Sequence, residues 1–365
     1  MLTALTTLFI RILCSAAMDD PFPNLARLYL PLLANAQPQV RRQACMILLG
    51  TYGNRALTYV RRLIDDGDPQ IRQNARLALL AVAEITDLGI SFQPFRGMYM
   101  QCLGRMRVYV DNHEIQSQNW AQADHGRAGW QKVQGVFAYL IHTGRRGATR
   151  DAIGTAVWGG PYSANSLSRT FTTLRQTLVK ACGPTFAEQA LLITDDYCAL
   201  DPTYYHTDMQ LFEHTFDAAV RSEHESGLEL AAPSYRQAMQ LYGGPYMADV
   251  PRGSGWSQQR RDHLMNSFMI AAERIAEYTY CQRQYKQCIA ICTAALDNDT
   301  AADEIIVWLM RAYAQEGRQA ELEQVYRRYA RALRIELEDL ADHQDPVVQM
   351  YQSLGKSRMM NNSSS

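Results

Sequence analysis

Residues 164–181 combine an apolar stripe with a polar face that could recognise DNA. Leu167, Phe171, Leu174 and Leu178 follow one another at spacings of 4, 3 and 4, which places them on one side of an α-helix. The opposite side of this predicted helix carries Asn165, Arg169, Thr172, Thr173, Gln176 and Lys180. Amide, hydroxyl and guanidinium groups can hydrogen-bond base edges and phosphates, and no acidic residue occurs in the segment. These residue types favour a helix that lies in a DNA groove.

The flanking segments supply the other parts of a winged helix-turn-helix domain. Residues 149–158 predict a shorter helix that starts at an N-capping threonine, and a Gly-Gly-Pro turn at 159–161 separates it from the polar helix. Downstream, residues 191–194 and 197–200 predict two strands joined by two aspartates, which would form the wing. Judged alone, the polar helix could equally belong to an ordinary helical bundle, because such motifs recur by chance.

A change of sequence period precedes this domain. Residues 98–103, 106–110 and 114–116 predict short strands, and 130–142 returns to helical spacing. The side chains expected to point inward from that helix are Val133, Val136, Phe137, Leu140 and Ile141. Strands, three helices and a hairpin are the order of a winged helix with an N-terminal sheet, so the context favours DNA binding over a bundle.

Composition predicts a multidomain globular protein in a reducing compartment. The chain has 365 residues, 47% of them hydrophobic, and a net charge of −1. This charge is uneven, at +2 for residues 1–95, +3 for 96–207 and −6 for 208–365, so phosphate attraction should centre on the middle segment. Eight scattered cysteines favour the cytoplasm over a disulfide scaffold, and Cys288 and Cys292 predict buried helix thiols. No cofactor or metal is expected.

The first 95 residues predict a helical repeat region. A Pro-Gln-Val-Arg motif at 38–41 recurs as Pro-Gln-Ile-Arg at 69–72, and this pattern resembles HEAT repeats. The apolar run 1–18 contains Arg11 and has no basic segment before it, which argues against a signal peptide or a membrane span. We expect this run to form a cap helix over the first repeat, with a weak membrane anchor as the alternative. The region would dock a protein whose identity the sequence does not give.

The last third of the chain predicts an acidic, tetratricopeptide-like solenoid. The helices are expected at 211–220, 234–241, 256–280, 285–296, 302–315 and 319–336. Small residues would lie at the helix crossings, with aromatic residues packed between the helices. The last residues are polar and of low complexity, which predicts a disordered tail.

Two sets of residues resemble the Streptomyces antibiotic regulatory protein (SARP) family. One set resembles its bacterial transcriptional activation domain: Tyr235, Ala238, Leu241, Tyr242, Gly244, Tyr246, Asp249, Trp256, Arg260, Leu264, Glu304, Leu309, Met310, Gly317, Ala320, Tyr326, Leu333, Glu336 and Leu337. The other resembles the winged helix fused to that domain: Leu103, Gly104, Phe137, Ala138, Tyr139, Leu140, Arg150, Asp151, Trp158, Leu174, Arg175, Leu178 and Tyr197. The joint order of the two modules, over residues 97 to 350, is more specific than either alone.

The resemblance implies a cytoplasmic bacterial transcription factor, most naturally an activator, that binds double-stranded DNA. The long helix would enter the major groove and the C-terminal domain would contact RNA polymerase and support a homodimer. Base-reading residues carried over by position are Asn165, Arg169, Thr172, Thr173 and Gln176. Phosphate-contacting residues carried over in the same way are Arg150, Ser166, Arg175 and Lys180, with a structural role equally open for Arg175.

These inferences predict a mainly α (α+β) chain with four parts. HEAT-like repeats would span 1–95, the winged helix 96–205, the activation domain 206–354 and the disordered tail 355–365. The wing tip departs from the family, because Asp195 and Asp196 should repel phosphate, and the N-terminal repeats are an addition to its short members. The alternative function is a protein-interaction scaffold whose winged helix no longer binds DNA. No enzyme is expected, since serine-hydrolase and zinc-protease motifs are absent and Gly355-Lys356-Ser357 lacks the first glycine of a phosphate loop.

Overall fold

A computed structural model describes residues 29–32, 34–37, 39–40, 43–44, 47, 54–86, 95, 97–110, 113–116, 120, 128–250, 255–332 and 345–362. Within these residues the chain is mainly helical with two small sheets, which confirms the predicted fold class. The helices are α1 (Asn54–Arg62), α2 (Pro69–Thr86), α3 (Ala128–Thr143), α4 (Arg150–Trp158), α5 (Ala164–Cys182), α6 (Pro184–Ala190), α7 (Asp208–Ser226), α8 (Leu228–Leu241), α9 (Gln258–Cys281), α10 (Tyr285–Leu296), α11 (Asp303–Gln315), α12 (Gln319–Ala332) and α13 (Pro346–Asn362). The strands are β1 (Met98–Gln101), β2 (Arg107–Val110), β3 (His113–Glu114), β4 (Ala148–Thr149), β5 (Leu191–Ile193), β6 (Tyr197–Leu200) and β7 (Tyr205–Thr207).

The chain divides into two compact units. The first contains residues 1–212 and 241–261, and the second contains 213–240 and 262–365. These units do not coincide with the predicted parts, because the N-terminal helices and the winged helix share one unit. No described helix is long and apolar enough to cross a membrane. The predicted cap helix at 1–18 lies outside the described residues.

The turn between α1 and α2 shows how the repeat motif folds. Pro69 occupies the first position of α2, where the missing N–H costs nothing, and the Asp68 carboxylate accepts a hydrogen bond from the Gln70 N–H at 2.8 Å. The Arg72 guanidinium donates to the carbonyl oxygens of Asp66 and Gly67 at 2.6 and 3.0 Å. The motif arginine therefore holds the inter-repeat turn closed. Pro38 and Arg41 of the first copy of the motif lie outside the described residues.

A four-stranded sheet with the order β3-β2-β1-β7 follows the repeats in the same unit. β1 pairs antiparallel with β2 and parallel with β7, the strand that leads into α7. Helix α1 packs on this sheet, with the Arg55 guanidinium 3.9 Å from the Tyr109 ring centre and the Arg61 Nη1 2.8 Å from His206 Nε2. Because desolvation and the charge of Arg61 lower the pKa of His206 to about 4, its imidazole is neutral near pH 7.

The segment 241–261 completes this sheet region. The Met247 N–H donates to the Cys102 carbonyl oxygen at 2.7 Å, and the Gly104 N–H donates to Pro245 at 3.1 Å. The buried Arg261 guanidinium donates to the carbonyl oxygens of Tyr246 and Met247 at 2.6 and 2.7 Å. The Arg261 bonds therefore hold two parts of this segment together by charge-assisted hydrogen bonds, and the backbone pairs with Cys102 and Gly104 attach the segment to the first sheet.

The second unit is helical. Its core includes Tyr235 and Ile275 together with small residues that let the helices approach closely, namely Ala219, Ala231, Ala232 and Ala271. Further along the chain, α11 packs against α10, α12 and α13. The predicted helices are present, but α8 begins at Leu228, upstream of the predicted start, because Pro233 is accommodated inside it. Residues 355–362, expected in the disordered tail, instead continue α13, whose first amides are capped by Asp345.

Candidate nucleic-acid interface

Both helices of the helix-turn-helix begin where the sequence predicts, α4 ends at the predicted residue, and α5 ends one residue later, at Cys182. The Thr149 hydroxyl accepts the Ala152 N–H at 3.2 Å, and the Ser163 hydroxyl accepts the Ser166 N–H at 3.1 Å, so both helices have capped N-termini. Helix α4 ends at Gly159, which adopts the left-handed conformation (φ 65°) that favours glycine. The wing strands β5 and β6 also form as predicted, and β6 pairs with β4 to give the order β4-β6-β5.

Helix α5 buries the predicted apolar seam and more. Leu167, Phe171, Leu174 and Leu178 are at most 3% exposed, which confirms the seam. Helix α5 packs against both α3 and α6, and its buried arc also takes in Thr170, Thr173 and Thr177. The hydroxyls of the first and last of these donate to the carbonyl oxygen four residues earlier, at 2.9 Å each. A buried threonine can therefore replace an apolar residue here without an unpaired polar group.

Thr173 was predicted to point outward as a base reader, and the structure places it inside. Its side chain is only 9% exposed. The seam residues alone suggest an outward face centred directly opposite Leu174, but the buried arc extends past the seam to Thr170, Thr173 and Thr177. The prediction for Thr173 is therefore wrong about its exposure, and the outward face lies further round the helix.

The exposed face of α5 is polar and carries no acid. Its members are Asn165, Ser168, Arg169, Thr172, Arg175, Gln176, Val179 and Lys180. This set contains five of the predicted outward residues, and it adds Ser168, which the sequence analysis missed because it sits beside the predicted face. Arg175, whose role was left open, is exposed. The Thr172 hydroxyl donates to the Ser168 carbonyl oxygen at 3.0 Å, so its hydrogen-bonding proton is already engaged within the helix.

Two of the predicted phosphate ligands, Ser166 and Arg150, are half-buried and hydrogen-bonded within the domain. Ser166 is half-buried near the start of α5, and its N–H and carbonyl are used by the cap and by Thr170. Arg150 is half-buried, and its Nη2 donates to the Ser168 hydroxyl at 3.1 Å. Arg150 therefore contacts the exposed face of α5 from the side rather than extending into solvent.

The wing tip is acidic, as the sequence indicates. Asp195 and Asp196 are both exposed between β5 and β6. The Thr194 N–H donates to the Tyr197 carbonyl oxygen at 2.8 Å, and the Thr194 hydroxyl accepts the Tyr197 N–H at 3.1 Å, so the turn is closed and ordered. Two carboxylates on a closed turn repel a phosphate backbone, and this part of the domain is a poor anion site.

Sequence analysis missed a pair of exposed cations beside the root of the wing. Arg145 and Arg146 lie in a short 3₁₀ turn between α3 and β4, and both are exposed. The Tyr197 hydroxyl donates to the carbonyl oxygen of Arg146, which ties this turn to strand β6. The adjacent arginines before Gly147 were a visible signal, but nothing in their spacing related them to the wing.

No group of three or more His, Cys, Asp or Glu residues that could hold a metal exists among the residues with defined placement. Cys288 and Cys292 are buried in α10, as predicted, with the pKa of Cys292 raised well above its ordinary value by its hydrogen bond to Cys288 and by burial. The exposed face of α5 can donate hydrogen bonds and carries positive charge.

Comparison with known proteins relates this chain to transcription regulators. Residues 207–344 match the family of the bacterial transcriptional activator domain. The fold is similar to the solved structure of Mycobacterium tuberculosis EmbR in complex with a low-affinity phosphopeptide, with a TM-score of 0.54 and 20% sequence identity over 71% of this chain. The similar region spans 65% of the EmbR chain, slightly less than two thirds of its length. A search of curated protein sequences gave no match. The predicted resemblance to SARP-like transcriptional regulators is thus confirmed, by sequence in the C-terminal activator domain and by fold over most of the chain.

Proposed function

We propose that this chain is a cytoplasmic, sequence-specific DNA-binding regulator that activates transcription. The observation that carries the proposal is the exposed face of α5, which holds three cations and two amides and no carboxylate. An α-helix fits the major groove of B-DNA, where such groups can read base edges. The capped helix-turn-helix beneath it holds that face in one orientation.

The residue types suggest how the work is divided along α5. Arg169 suits the paired acceptors of guanine, and the amides of Asn165 and Gln176 suit adenine. Arg175 and Lys180 supply phosphate contacts toward the C-terminal half of the helix. The acidic wing tip would face away from the backbone, which is the main way in which this chain would differ from its family.

The C-terminal domain supplies the partner contacts in this proposal. Matches to the bacterial transcriptional activator domain support a role in contacting RNA polymerase and in self-association, either as a homodimer or on tandem sites. The N-terminal repeats would bind a separate protein. Because the first unit contains both the repeats and the winged helix, a protein bound to the repeats would be held near the DNA site.

Selection from a random duplex pool tests the proposal directly. We expect the full chain to enrich one sequence motif, and the double variant Arg169→Ala/Gln176→Ala to lose that motif while keeping its fold. Each lost base contact should reduce discrimination by about 1–3 kcal/mol. The matched control is Gln73→Ala/Arg76→Ala, which removes an exposed glutamine and arginine from α2 in the same unit.

The second candidate function is a protein scaffold, and the acidic wing is the observation in its favour. If the wild-type chain enriches no motif, the DNA-binding proposal fails and the scaffold becomes the better account. A motif that survives the double variant unchanged would reject α5 as the reading helix. Affinity for the selected duplex should also fall steeply with salt, because cations on α5 displace counterions from the backbone.

A further inference from the structure

We propose that Arg150 is a positioning residue that fixes the wing against the recognition helix α5, and that it does not bind phosphate. The inference adds to the proposed function, and its DNA-binding consequences rest on that function. The family resemblance alone predicts that Arg150 contacts phosphate. The contacts of both its backbone and its side chain point to a different role.

Arg150 is bonded to the wing and to α5 at once. Its backbone N–H donates to the Asp196 carbonyl oxygen at the wing tip at 3.1 Å. The side-chain Nη2 donates to the Ser168 hydroxyl on α5 at 3.1 Å, and Nη1 lies 3.5 Å from the Thr194 carbonyl oxygen, at the limit of a hydrogen bond. One residue at the start of α4 therefore connects the wing tip to the recognition helix.

The guanidinium is also held by the core. Its central carbon lies 5.3 Å from the centre of the Phe171 ring, and Phe171 is 3% exposed. A planar cation over an aromatic face is favoured electrostatically and limits the directions in which the group can turn. To reach a phosphate, the side chain would have to leave this ring and give up its bonds to Ser168 and the wing.

These contacts of Arg150 explain how the wing tip is held in place. The tip of the hairpin, residues 194–197, is exposed and carries two carboxylates, so neither burial nor attraction to the DNA backbone would hold the tip in place. Arginine is suited to the task because its rigid fork can serve two acceptors together, which lysine cannot do with the same geometry. The chemistry therefore predicts that lysine does not replace arginine here, although it keeps the charge.

Hydrogen exchange of the full chain without DNA tests whether Arg150 holds the wing. In Arg150→Ala and in Arg150→Lys, amides of the wing peptide 191–200 should exchange about tenfold faster than in the wild type, the factor expected from loss of a charge-assisted hydrogen bond. Ser168→Ala removes one acceptor without changing charge and should shift the same peptide in the same direction. Unchanged wing exchange in all three variants would overturn the proposal, and the two milder variants decide the question if Arg150→Ala does not fold.

The salt dependence of binding to the selected duplex separates positioning from phosphate contact. Removing a phosphate ligand makes the slope of log K against log salt shallower by about 0.9, and Arg175→Ala, on the exposed face, is the control expected to show this. The Arg150 variants should bind more weakly with an unchanged slope. A shallower slope for Arg150→Ala that Arg150→Lys restores would overturn the proposal. If no duplex is selected, the DNA-binding function fails, whereas the exchange experiment still decides whether Arg150 holds the wing.

Discussion

The Lys132 ammonium group donates a hydrogen bond to the Val157 carbonyl oxygen at 2.9 Å. Lys132 lies in α3, and Val157 lies in the last turn of α4, so the bond joins two of the three helices of the winged helix. It also places a cation at the negative end of the α4 dipole and 5.1 Å from the Trp158 ring centre. This contact fixes the end of α4 from which the turn to α5 departs.

Replacing this lysine should loosen the turn without changing the surface of α5. We expect Lys132→Met to reduce the local free energy of unfolding by about 1 kcal/mol, since the partly exposed site weakens the charge-assisted bond. Hydrogen exchange in peptides from α4 measures the effect. Lys286→Met changes an exposed lysine in α10 and should leave exchange unaltered. Equal exchange in α4 for both variants would mean that the Lys132 bond contributes nothing.

Gly147 of the winged helix should tolerate substitution poorly. It has φ 57°, and a Cβ there would lie 2.4 Å from the Tyr197 hydroxyl oxygen and 2.6 Å from the Cys198 carbonyl oxygen. Gly147→Ala should therefore cost about 2 kcal/mol or more and separate the Arg145–Arg146 turn from β6. Gly160→Ala is the matched control, because a Cβ at that position meets no atom within 4 Å. Thermal unfolding should rank Gly147→Ala well below Gly160→Ala, and the reverse order would refute this reading of the turn.

Asp208 should make the stability of the first sheet depend on pH. Its buried carboxylate accepts the N–H groups of Cys102, Leu103 and Met209 at 2.7, 3.0 and 2.8 Å. Desolvation outweighs these bonds and raises the pKa of Asp208 from 3.8 to about 7. The folded state thus holds this proton more tightly than the unfolded state, so the stability from this proton is complete below about pH 4 and is lost as the pH rises through 7.

Comparison with Asp208→Asn isolates this effect, because asparagine cannot titrate. We expect the unfolding free energy of the wild type to fall relative to that of the variant between pH 4 and pH 7. Urea unfolding at several pH values gives the unfolding free energy of each protein, and hydrogen exchange in β1 and β7 shows whether the change lies in the first sheet. A constant difference across this range would show that Asp208 keeps the same charge throughout. Apart from the pH trend, the variant should be less stable at pH 8, since its amide presents a donor to a backbone N–H.

Tyr329 joins three helices of the second unit through one hydroxyl group. The group lies 2.9 Å from the Asp303 carboxylate at the start of α11 and 2.7 Å from the Asp345 carboxylate just before α13. Tyr329→Phe should reduce the free energy of unfolding of this unit by about 1–3 kcal/mol, because two partly buried carboxylates lose the single O–H proton that they share. Tyr285→Phe, a half-exposed tyrosine in α10, is the control and should change stability little. Similar stabilities of the two variants would reject the role of the Tyr329 hydroxyl.

The architecture was predictable where a local pattern determines structure. The 4, 3, 4 spacing of the α5 seam, the capping Thr149 and the Gly159 turn each depend on a few neighbouring residues, and each forms as predicted. Helix α6 was not predicted, because its seven residues, which start with a proline after Gly183, are too few to show a helical period. The burial of Thr173 was not predictable either, since the apolar seam does not show that polar threonines beside it are also buried.

Contacts between distant segments could not be predicted from the sequence, because no local pattern marks the partners. The bond between Arg150 and Ser168 crosses 18 residues, and the one between Tyr197 and Arg146 crosses 51. Neither side chain sits at a spacing that marks it as a partner of the other. Charge and residue type led to the prediction that the domain binds DNA, but only the folded chain shows which arginines are exposed and which are engaged.

The neighbours Thr172 and Thr173 provide the sharpest test of which face of α5 is outward. Thr173→Ala removes a buried side chain and should destabilise the first unit by about 1 kcal/mol while leaving the selected DNA motif unchanged. Thr172→Ala alters the exposed face and should leave stability within about 0.5 kcal/mol while weakening the preference at one base pair, because a threonine methyl can contact the methyl group of thymine. Thermal unfolding and duplex selection on the same two proteins give both quantities. The opposite pairing, with Thr173→Ala changing the motif and Thr172→Ala the stability, would place the reading face where the apolar seam alone suggested it and would remove Ser168 from that face.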